Sequence, residues 1–535
     1  MSEKSRYRFG PLERRGLIAG WRGGQVVTVT AGLVVAVSAL RTCAPAVGFA
    51  IAGISVLGAC ALACWPIAGR TGEEWSPTVV RWMTRVVFGR RTTSPAPLLG
   101  QLISSRPLVD DIQSEFGSSH ESLRLPRSVA RKRDWVGDLR GNPFSAYELC
   151  ECPIDGPAGD LRSTSEQVGV VRDRRTRTLT AVLAVSGQTF ALLGSEDKDR
   201  RAVDWATVLA AHAREGGALH RLQWVASCCP DASQDAWRHL RSNSTVPESS
   251  PNYTSYQDLL AAADDRRCLR QVFIAVQVRE GRLTSTKRDS ASPYSLLVRE
   301  ATQLVRALKD AGLSVEQILD KMALSALFHR LGSPGNTSPQ VQFGTGHCGP
   351  EERQGQQQQS VSRGSGWPWP MALEQSWSRI RTDAVWHATY WIAEWPRIDV
   401  GPDFLAPMLL ATGRRAVSLT MEPLSPSRAS RQVAHARTAD IADSELRRRG
   451  GFVTTVRRSR ESELVIQREA ELADGHASVR FSGYVTVTAN SVDELEVECE
   501  RAERCGVQSR LELRRMYGEQ ERALLYTLPL CLGLS

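Results

Sequence analysis

Two aspartates, Asp197 and Asp199, form an Asp-x-Asp pattern that could support chemistry. Metal-dependent glycosyltransferases use this pattern to hold a nucleotide diphosphate through a divalent ion, for which carboxylate oxygens are suitable ligands. In "GSEDKDRRAVDW" the pair comes just before a predicted helix, where acidic side chains also interact favourably with the helix dipole. The pattern is therefore compatible with a transferase, but we interpret it as an ordinary acidic helix start.

Phosphate-binding loops are the second kind of site to consider. A nucleotide-driven motor needs a glycine-rich loop ending in Lys-Ser/Thr, because the lysine reaches the β- and γ-phosphates and the hydroxyl binds magnesium. Of the six lysines only Lys4 precedes a serine or threonine, and no glycine loop precedes it, so a P-loop is absent. Gly344, Gly346 and Gly349 match G-x-G-x-x-G, but they lie in a low-complexity stretch instead of between a strand and a helix. We interpret that match as coincidental.

The histidines and cysteines form no recognisable catalytic or metal-binding pattern. The sequence contains no H-E-x-x-H, no G-x-S-x-G and no C-x-x-C. His387 and His476 lie beside predicted strands, and we interpret both as hydrogen-bonded structural residues. The twelve cysteines are scattered, as expected in a reducing cytoplasm; outside the apolar N-terminal part the close pairs are Cys150/Cys152 and Cys228/Cys229. We therefore predict no catalytic, cofactor-binding or metal site.

The composition indicates a folded protein of two or three domains. The chain has 535 residues, is 42% hydrophobic and 23% charged, and carries a net charge of +9. Only six of its 67 basic residues are lysine, a bias that we attribute to GC-rich coding. The arginines are spread along the chain with acidic residues nearby, so nucleic-acid binding is not indicated.

Two uncharged apolar stretches, 25–40 and 43–68, lie near the N-terminus. The second has 26 residues, which exceeds the roughly 20 that cross a bilayer. The first has 16 and reaches spanning length if Gly23 and Gly24 join it. Together they predict a transmembrane hairpin over 23–68.

The charges around this hairpin predict its orientation. The turn holds only Arg41, whereas basic residues flank both ends: Lys4, Arg6, Arg8, Arg14, Arg15 and Arg22 before it, and Arg70, Arg81, Arg85, Arg90 and Arg91 after it. The positive-inside rule therefore predicts a multi-pass protein of the cytoplasmic membrane, with both termini, including the segment 1–22, in the cytoplasm. In the second stretch small residues recur every four positions, as in Ser55/Ala59 and Ala59/Ala63, which favours close helix packing and allows self-association.

A juxtamembrane amphipathic helix is predicted over 73–91. Helical spacing places Trp75, Val79, Trp82 and Val86 on one face, with Arg81 and Arg85 off it. One interpretation is a helix on the inner leaflet, with its aromatic side chains at headgroup level and its arginines facing anionic lipid. The other is a packing helix of the following domain.

The cytoplasmic part is predicted to contain two mixed α+β domains, over 96–332 and 371–535, joined by a flexible linker over 333–370 that is rich in glycine, glutamine and serine. In the first domain we predict a β-hairpin (168–187), helices (203–215 and 293–312) and strands (218–226 and 270–278). In the second we predict strands (384–395, 415–422 and 507–516), a short helix from Pro402, and a long helical stretch (427–473) broken at Gly450-Gly451.

The segment "RFSGYVTVTANSVDELEVEC" is the most regular part of the second domain. Val479, Phe481, Val485, Val487 and Ala489 share one parity, which predicts a half-buried strand. Ser491 and Glu494 form a capping box, and Val492, Leu495, Cys499 and Ala502 predict one apolar helical stripe.

Two parts of the chain resemble known families. The start, "YRFGPLERRGLIAGWRGGQ", with the apolar hairpin and "GRTGEEWSPTVVRW", resembles actinobacterial PrgI-type proteins, which are small hairpin components of conjugation-like type IV secretion machineries. The C-terminal part is similar to the non-motor N-terminal domain of VirB-type secretion ATPases through three segments: "HATYWIAEWPRIDVGPDFLAPMLL", "REAELADGHASVRFSGYVTVTA" and "LRRMYGEQERALLYTLPL".

The resemblance implies a non-enzymatic inner-membrane scaffold that docks a separately encoded P-loop ATPase. Its expected partners are that ATPase, other membrane channel subunits, the lipid bilayer and further copies of the chain. Three alternatives stay open: an EccE-like component of type VII secretion, a membrane-tethered transferase that uses Asp197 and Asp199, and a simple structural or sensory membrane protein.

Overall fold

The structure is a computed structural model of the chain. It describes residues 23–42, 44–64, 66–67, 70–87, 92–93, 143–153, 167–186, 193–230, 237, 240–242, 244–264, 268–280, 292–332, 369–370, 372–450 and 456–534. The segment 1–22, the G-x-G-x-x-G match and most of the linker 333–370 lie outside the described residues. Within that linker the described Trp369 is buried and packs against Phe144 and Phe328, so the globular part begins before Met371.

Three helices and a small ribbon form the N-terminal part. Helix α1 covers Gly23–Thr42 and α2 covers Pro45–Cys64. Strands β1 (Pro66–Ile67) and β2 (Arg70–Thr71) pair with each other and lead into α3 (Gly72–Val87). The predicted double apolar helix is thus present.

Within the described ranges thirteen strands form one antiparallel sheet. In chain order they are β3 (Thr92–Thr93), β4 (Tyr147–Pro153), β5 (Gln167–Asp173), β6 (Thr178–Ser186), β7 (Leu219–Pro230), β8 (Cys268–Arg279), β9 (Ser314–Ile318), β10 (Leu373–Gln375), β11 (Ile380–Thr382), β12 (Val385–Glu394), β13 (Arg414–Pro423), β14 (Val479–Ala489) and β15 (Glu512–Arg515). The spatial order is β3-β10-β11-β12-β14-β13-β7-β8-β6-β5-β4, with β15 pairing β12 and β9 pairing β6.

Helices cover both faces of this sheet. On one face α4 (Ser195–His212) and α6 (Pro293–Asp310) pack on the strands of the first half, while α8 (Ala406–Leu410) and α11 (Val492–Gln508) pack on those of the second. On the other face α7 (Lys321–Gly332) and α12 (Gln520–Tyr526) cover a further apolar core. The remaining helices are α5 (Pro251–Asp264) and the pair α9 (Pro426–Gly450) and α10 (Val456–Ala473). The predicted α+β class is therefore confirmed.

The two-domain layout is not confirmed, because strands from 143–332 and 372–515 share this one sheet. Strands β7 and β13 pair over seven residues, from Cys228 opposite Arg415 to Leu222 opposite Met421. Each of these strands would otherwise present an edge of unpaired backbone groups. Their pairing satisfies those groups and makes the sheet continuous.

The segment 526–534 crosses the face of the sheet that carries α7 and α12. The side chain of Gln223 donates to the Tyr526 carbonyl (2.9 Å) and accepts from the Cys531 N–H (2.6 Å). Gln277 donates to the Leu530 carbonyl (3.1 Å), and Thr420 donates to that of Leu532 (2.7 Å). Because both glutamines are buried, these bonds are needed to offset the cost of desolvation.

The segment 480–499 forms the predicted strand and helix, but β14 is not half-buried. Tyr484, Thr486 and Thr488, which lie on the polar parity, are buried as well because the chain after α12 covers that face of the sheet. Val485, Val487 and Ala489 of β14 are buried against α11. The Ser491 hydroxyl accepts from the Glu494 N–H (3.1 Å), and the Glu494 carboxylate accepts from the Asn490 N–H (3.0 Å). The capping box therefore starts α11, as expected.

Two further boundaries can be compared with the predictions. Helix α9 is described as far as Gly450 and α10 from Val456, so the predicted break at Gly450-Gly451 falls at the edge of the described residues and stays a prediction. The predicted strand 507–516 is wrong in its first half: α11 continues to Gln508, Arg510 has a positive φ of 57°, and β15 begins only at Glu512. The N–H groups of Ser509 and Leu511 return to the carbonyls of Cys505 and Gly506, which closes the helix there.

Candidate functional site

The apolar hairpin is held together by small residues. Ala36, Ala52, Ala59 and Ala63 are buried between α1 and α2. A Cβ atom at Gly32 would overlap that of Ala59, so the two backbones approach closely there. The small residues that recur every four positions in the sequence therefore contribute to the contact between α1 and α2.

Polar side chains add bonds between the two helices. The Gln25 amide donates to the Ala63 carbonyl (2.7 Å), and the Ser55 hydroxyl is 3.4 Å from the Gly32 carbonyl. Away from this seam the hairpin exposes large apolar side chains, with Phe49 at 70% and Ile54 at 73% exposure. Both helices are long and apolar enough to cross a bilayer.

Helix α3 joins this hairpin to the sheet through an aromatic cluster. Trp75 stacks on Trp377 with ring centroids 5.8 Å apart, and Trp82 meets the same ring edge-on at 5.5 Å. Tyr517 stacks on Trp377 from the segment after β15, at 6.4 Å. Such pairs are each worth about 0.5–1.5 kcal/mol beyond the area they bury. We call these four rings the aromatic clamp.

Two arginines of α3 reinforce the aromatic clamp. Arg81 lies 3.4 Å from a carboxylate oxygen of Glu519, and Arg85 lies 2.5 Å from one of Glu521 and donates to Gln375. Burial raises the pKa of Glu521 above its ordinary value although Arg85 acts in the opposite direction. These arginines are thus paired with the protein's own carboxylates.

A glycine permits the close approach of α3. Gly518 has a φ of +71°, and its N–H donates to the Trp377 carbonyl (2.7 Å). A Cβ there would lie 2.7 Å from the Trp377 ring and 2.9 Å from Thr78 Cγ2. Both the backbone conformation and the space therefore favour glycine.

The two sides of α3 differ from the predicted arrangement. The tryptophans, assigned by one interpretation to the bilayer, face the sheet, so the structure favours a packing helix for that side. The other side exposes Val79, Val80, Met83 and Val87, at 41%, 61%, 54% and 73%. The helix thus presents an apolar surface directly after the hairpin, on a set of side chains that shares only Val79 with the predicted face.

The Asp-x-Asp pair lies in the first turn of α4. Asp197 is 3.6 Å from Arg200, and the intervening Lys198 lies 3.3 Å from Asp403. Residues two apart on a helix point about 200° away from each other. This geometry does not favour a metal ion shared by Asp197 and Asp199, and the described residues contain no group of three or more potential metal ligands.

The two singled-out histidines differ in their surroundings. His387 is fully buried and hydrogen-bonds to Thr382 (2.6 Å) and Thr488 (2.8 Å), as expected for a structural residue. Burial lowers its pKa to about 4. His476 is exposed in the turn after α10, so its interpretation as a bonded structural side chain is not supported.

The close cysteine pairs lie on strands. Burial, together with the neighbouring Cys268, raises the pKa of Cys228 to about 12. Cys150 and Cys152 occupy the edge strand β4, where Cys152 is buried. The raised pKa disfavours a thiolate nucleophile at Cys228.

Sequence comparison gives no identification. The chain matches no family model, and no curated protein matches it. The PrgI-type and VirB-type resemblances therefore stay hypotheses.

The aromatic clamp was not foreseen from the sequence. Trp75 and Trp82 were recognised as one face, but their partners lie about 300 and 440 residues further along the chain. A signal for this contact in the sequence is the short run "MYGEQE", which contains an aromatic residue, a glycine and two acids. The aromatic residue complements the two tryptophans of α3, and the two acids complement its two arginines.

Proposed function

We propose that this chain is a non-catalytic inner-membrane scaffold of a type IV-like secretion or conjugation machinery, and that it docks a separately encoded P-loop ATPase. The observation that carries the membrane part is the exposed apolar hairpin. Burial in a soluble core is a poor alternative, since only 11% and 22% of the two candidate spans are buried. The flanking basic residues support a cytoplasmic location for both termini.

The clamp supports the scaffold part of the proposal. A flexible tether would leave the sheet free to move relative to the bilayer. Here the start of α3 lies against the last turns of α2, with Gly72 close to Leu62, and α3 is held to the sheet by four rings and two ion pairs. A firmly held sheet can present a docking surface at a fixed distance from the membrane.

The choice of machinery rests on the sequence resemblance alone. The PrgI-like start supports an anchor in such a machinery, and the likeness of the C-terminal part to the non-motor domain of VirB-type ATPases supports a docking role. The transferase alternative has weak support because the side chains of Asp197 and Asp199 leave α4 on opposite sides.

Membrane placement is tested by fractionation and protease protection of the full chain. We expect the protein in the membrane pellet after an alkaline carbonate wash, and its C-terminal part cleaved only when protease reaches the cytoplasmic side. Recovery in the soluble fraction would refute the anchor.

Docking is tested by affinity purification of the tagged chain from detergent-solubilised membranes. We expect a P-loop ATPase of type IV or conjugation type to co-purify. A type VII ATPase would favour the EccE-like alternative, and recovery of neither would contradict the docking role while leaving the anchor intact.

A further inference from the structure

A basic groove lies at the start of helix α9, away from the aromatic clamp. It has a volume of about 360 Å³ and is lined by Leu424, Arg428, Arg431, Gln432, His435 and Arg480. Arg428, Arg431, Gln432 and His435 are exposed, so this is an open surface groove and not an enclosed cavity. Three of the six lining side chains are guanidinium groups, and none is acidic.

The carboxylate nearest to the groove is already shared among arginines. Glu422 is nearly buried, and its oxygens lie 2.7 Å from Arg480, 3.6 Å from Arg428 and 3.6 Å from Arg221. Arg221 in turn donates to the carbonyls of Cys531 and Leu534, so it is held in place beneath the groove. One negative charge among three positive ones leaves the local charge positive.

The first turns of α9 add to this positive potential. Arg431 bonds to the Ser427 carbonyl (3.1 Å) and is held over the groove by that local contact. The helix N-terminus carries a partial positive charge, and the Glu215 carboxylate accepts from the Ser427 N–H (2.7 Å) there. Glu215 and Glu422 together still balance only two of the four guanidiniums.

The chemistry of this lining selects the class of ligand. Guanidinium groups bind phosphate oxygens with paired N–H donors, and several around one groove suit a ligand with more than one phosphate. Gln432 and His435 provide additional polar contacts at the same rim. We propose that the groove binds a small anion bearing two or more phosphate groups. Such an anion could come from a free nucleotide or polyphosphate, or from a phosphorylated headgroup.

The test uses the full chain purified in detergent and sodium tripolyphosphate as the probe, measured by titration calorimetry. We expect saturable binding that weakens with added salt, because exposed charges are screened. Arg431→Gln should weaken it about tenfold or more, since it removes a charge-assisted bond to the ligand. The hydrogen bonds of Arg431 go to Ser427, and its charge also helps to lower the pKa of the exposed Glu215, so this variant should lower the thermal midpoint only slightly.

A matched control removes the same charge elsewhere. Arg200 is 71% exposed on α4 and lies outside the groove, so Arg200→Gln should leave tripolyphosphate binding unchanged. Tighter binding of ATP than of tripolyphosphate would identify a nucleotide as the source, and tighter binding of inositol trisphosphate would identify a headgroup. The proposal is overturned if tripolyphosphate does not saturate, if both arginine variants weaken it equally, or if only oligonucleotides bind.

Discussion

The close approach of α3 to the sheet can be tested at Gly518. Replacing it by alanine adds a Cβ that would lie 2.7 Å from the Trp377 ring and 2.9 Å from Thr78 Cγ2. Neither neighbour can move without displacing the other, because Trp377 is stacked on Trp75 and Thr78 belongs to α3. We therefore expect Gly518→Ala to push α3 away from the sheet.

The free-energy cost of Gly518→Ala has two parts. The positive φ of 71° costs an alanine about 1–2 kcal/mol, and forcing an extra carbon into a packed contact costs about 1–3 kcal/mol. The matched control is Gly475→Ala, where φ is +90° but nothing lies within 4 Å of the added Cβ. This control should show the backbone cost alone.

Hydrogen exchange of the detergent-solubilised full chain separates the two effects. In Gly518→Ala, amides of α3 should exchange about 10- to 100-fold faster than in the parent protein, the equivalent of about 1–3 kcal/mol. In Gly475→Ala, α3 should be unaffected, since that glycine lies after α10. Equal exchange of α3 in both variants would contradict the clamp.

Three other outcomes follow from the geometry. Gln223→Leu leaves the buried Cys531 N–H without its acceptor and should lower the opening free energy of 526–534, seen by hydrogen exchange, by about 3 kcal/mol. Gln277→Leu removes two longer hydrogen bonds, of 3.3 and 3.1 Å, and should lower the same opening free energy by about half as much. Gly32→Leu should lower the thermal midpoint in detergent by separating α1 from α2, whereas Gly53→Leu, which adds a side chain in open space, should not. Because burial lowers the pKa of His387 to about 4, an ordinary unfolded histidine takes up its proton first as the pH falls below about 6.5. The contribution of His387 to the unfolding free energy should then drop by roughly 1.4 kcal/mol per pH unit down to about 4, and the pH dependence should be shallower by this amount in His387→Gln.

Local patterns predicted local structure well. The alternation through Val485 and Val487 and the capping box at Ser491 depend on neighbouring residues, so the strand and helix 479–508 were foreseen. The apolar runs of α1 and α2 were equally clear. The helix ending at Ser509 was missed because its closure depends on backbone bonds that no side-chain pattern encodes.

Long-range pairing was not predictable from the sequence. The seam between β7 and β13 joins Leu222 to Met421, and neither strand carries a residue that specifies the other. The orientation of α3 was ambiguous for a similar reason: an amphipathic helix with tryptophans suits a lipid surface or an aromatic partner, and Trp377 decided between them. The basic groove is not evident from the sequence because Arg428 and Arg431 lie on α9 whereas Arg480 comes from β14, and only the fold places the three together.

The continuous sheet has a consequence for how the chain could be divided. A cut within 333–368 would leave β7 on one fragment and β13 on the other, each with an exposed edge complementary to its partner. Two separately produced halves should therefore reassemble, which split-reporter complementation would detect, and Thr420→Pro at the seam should abolish it. Nature could exploit the same property by encoding the two halves as separate polypeptides.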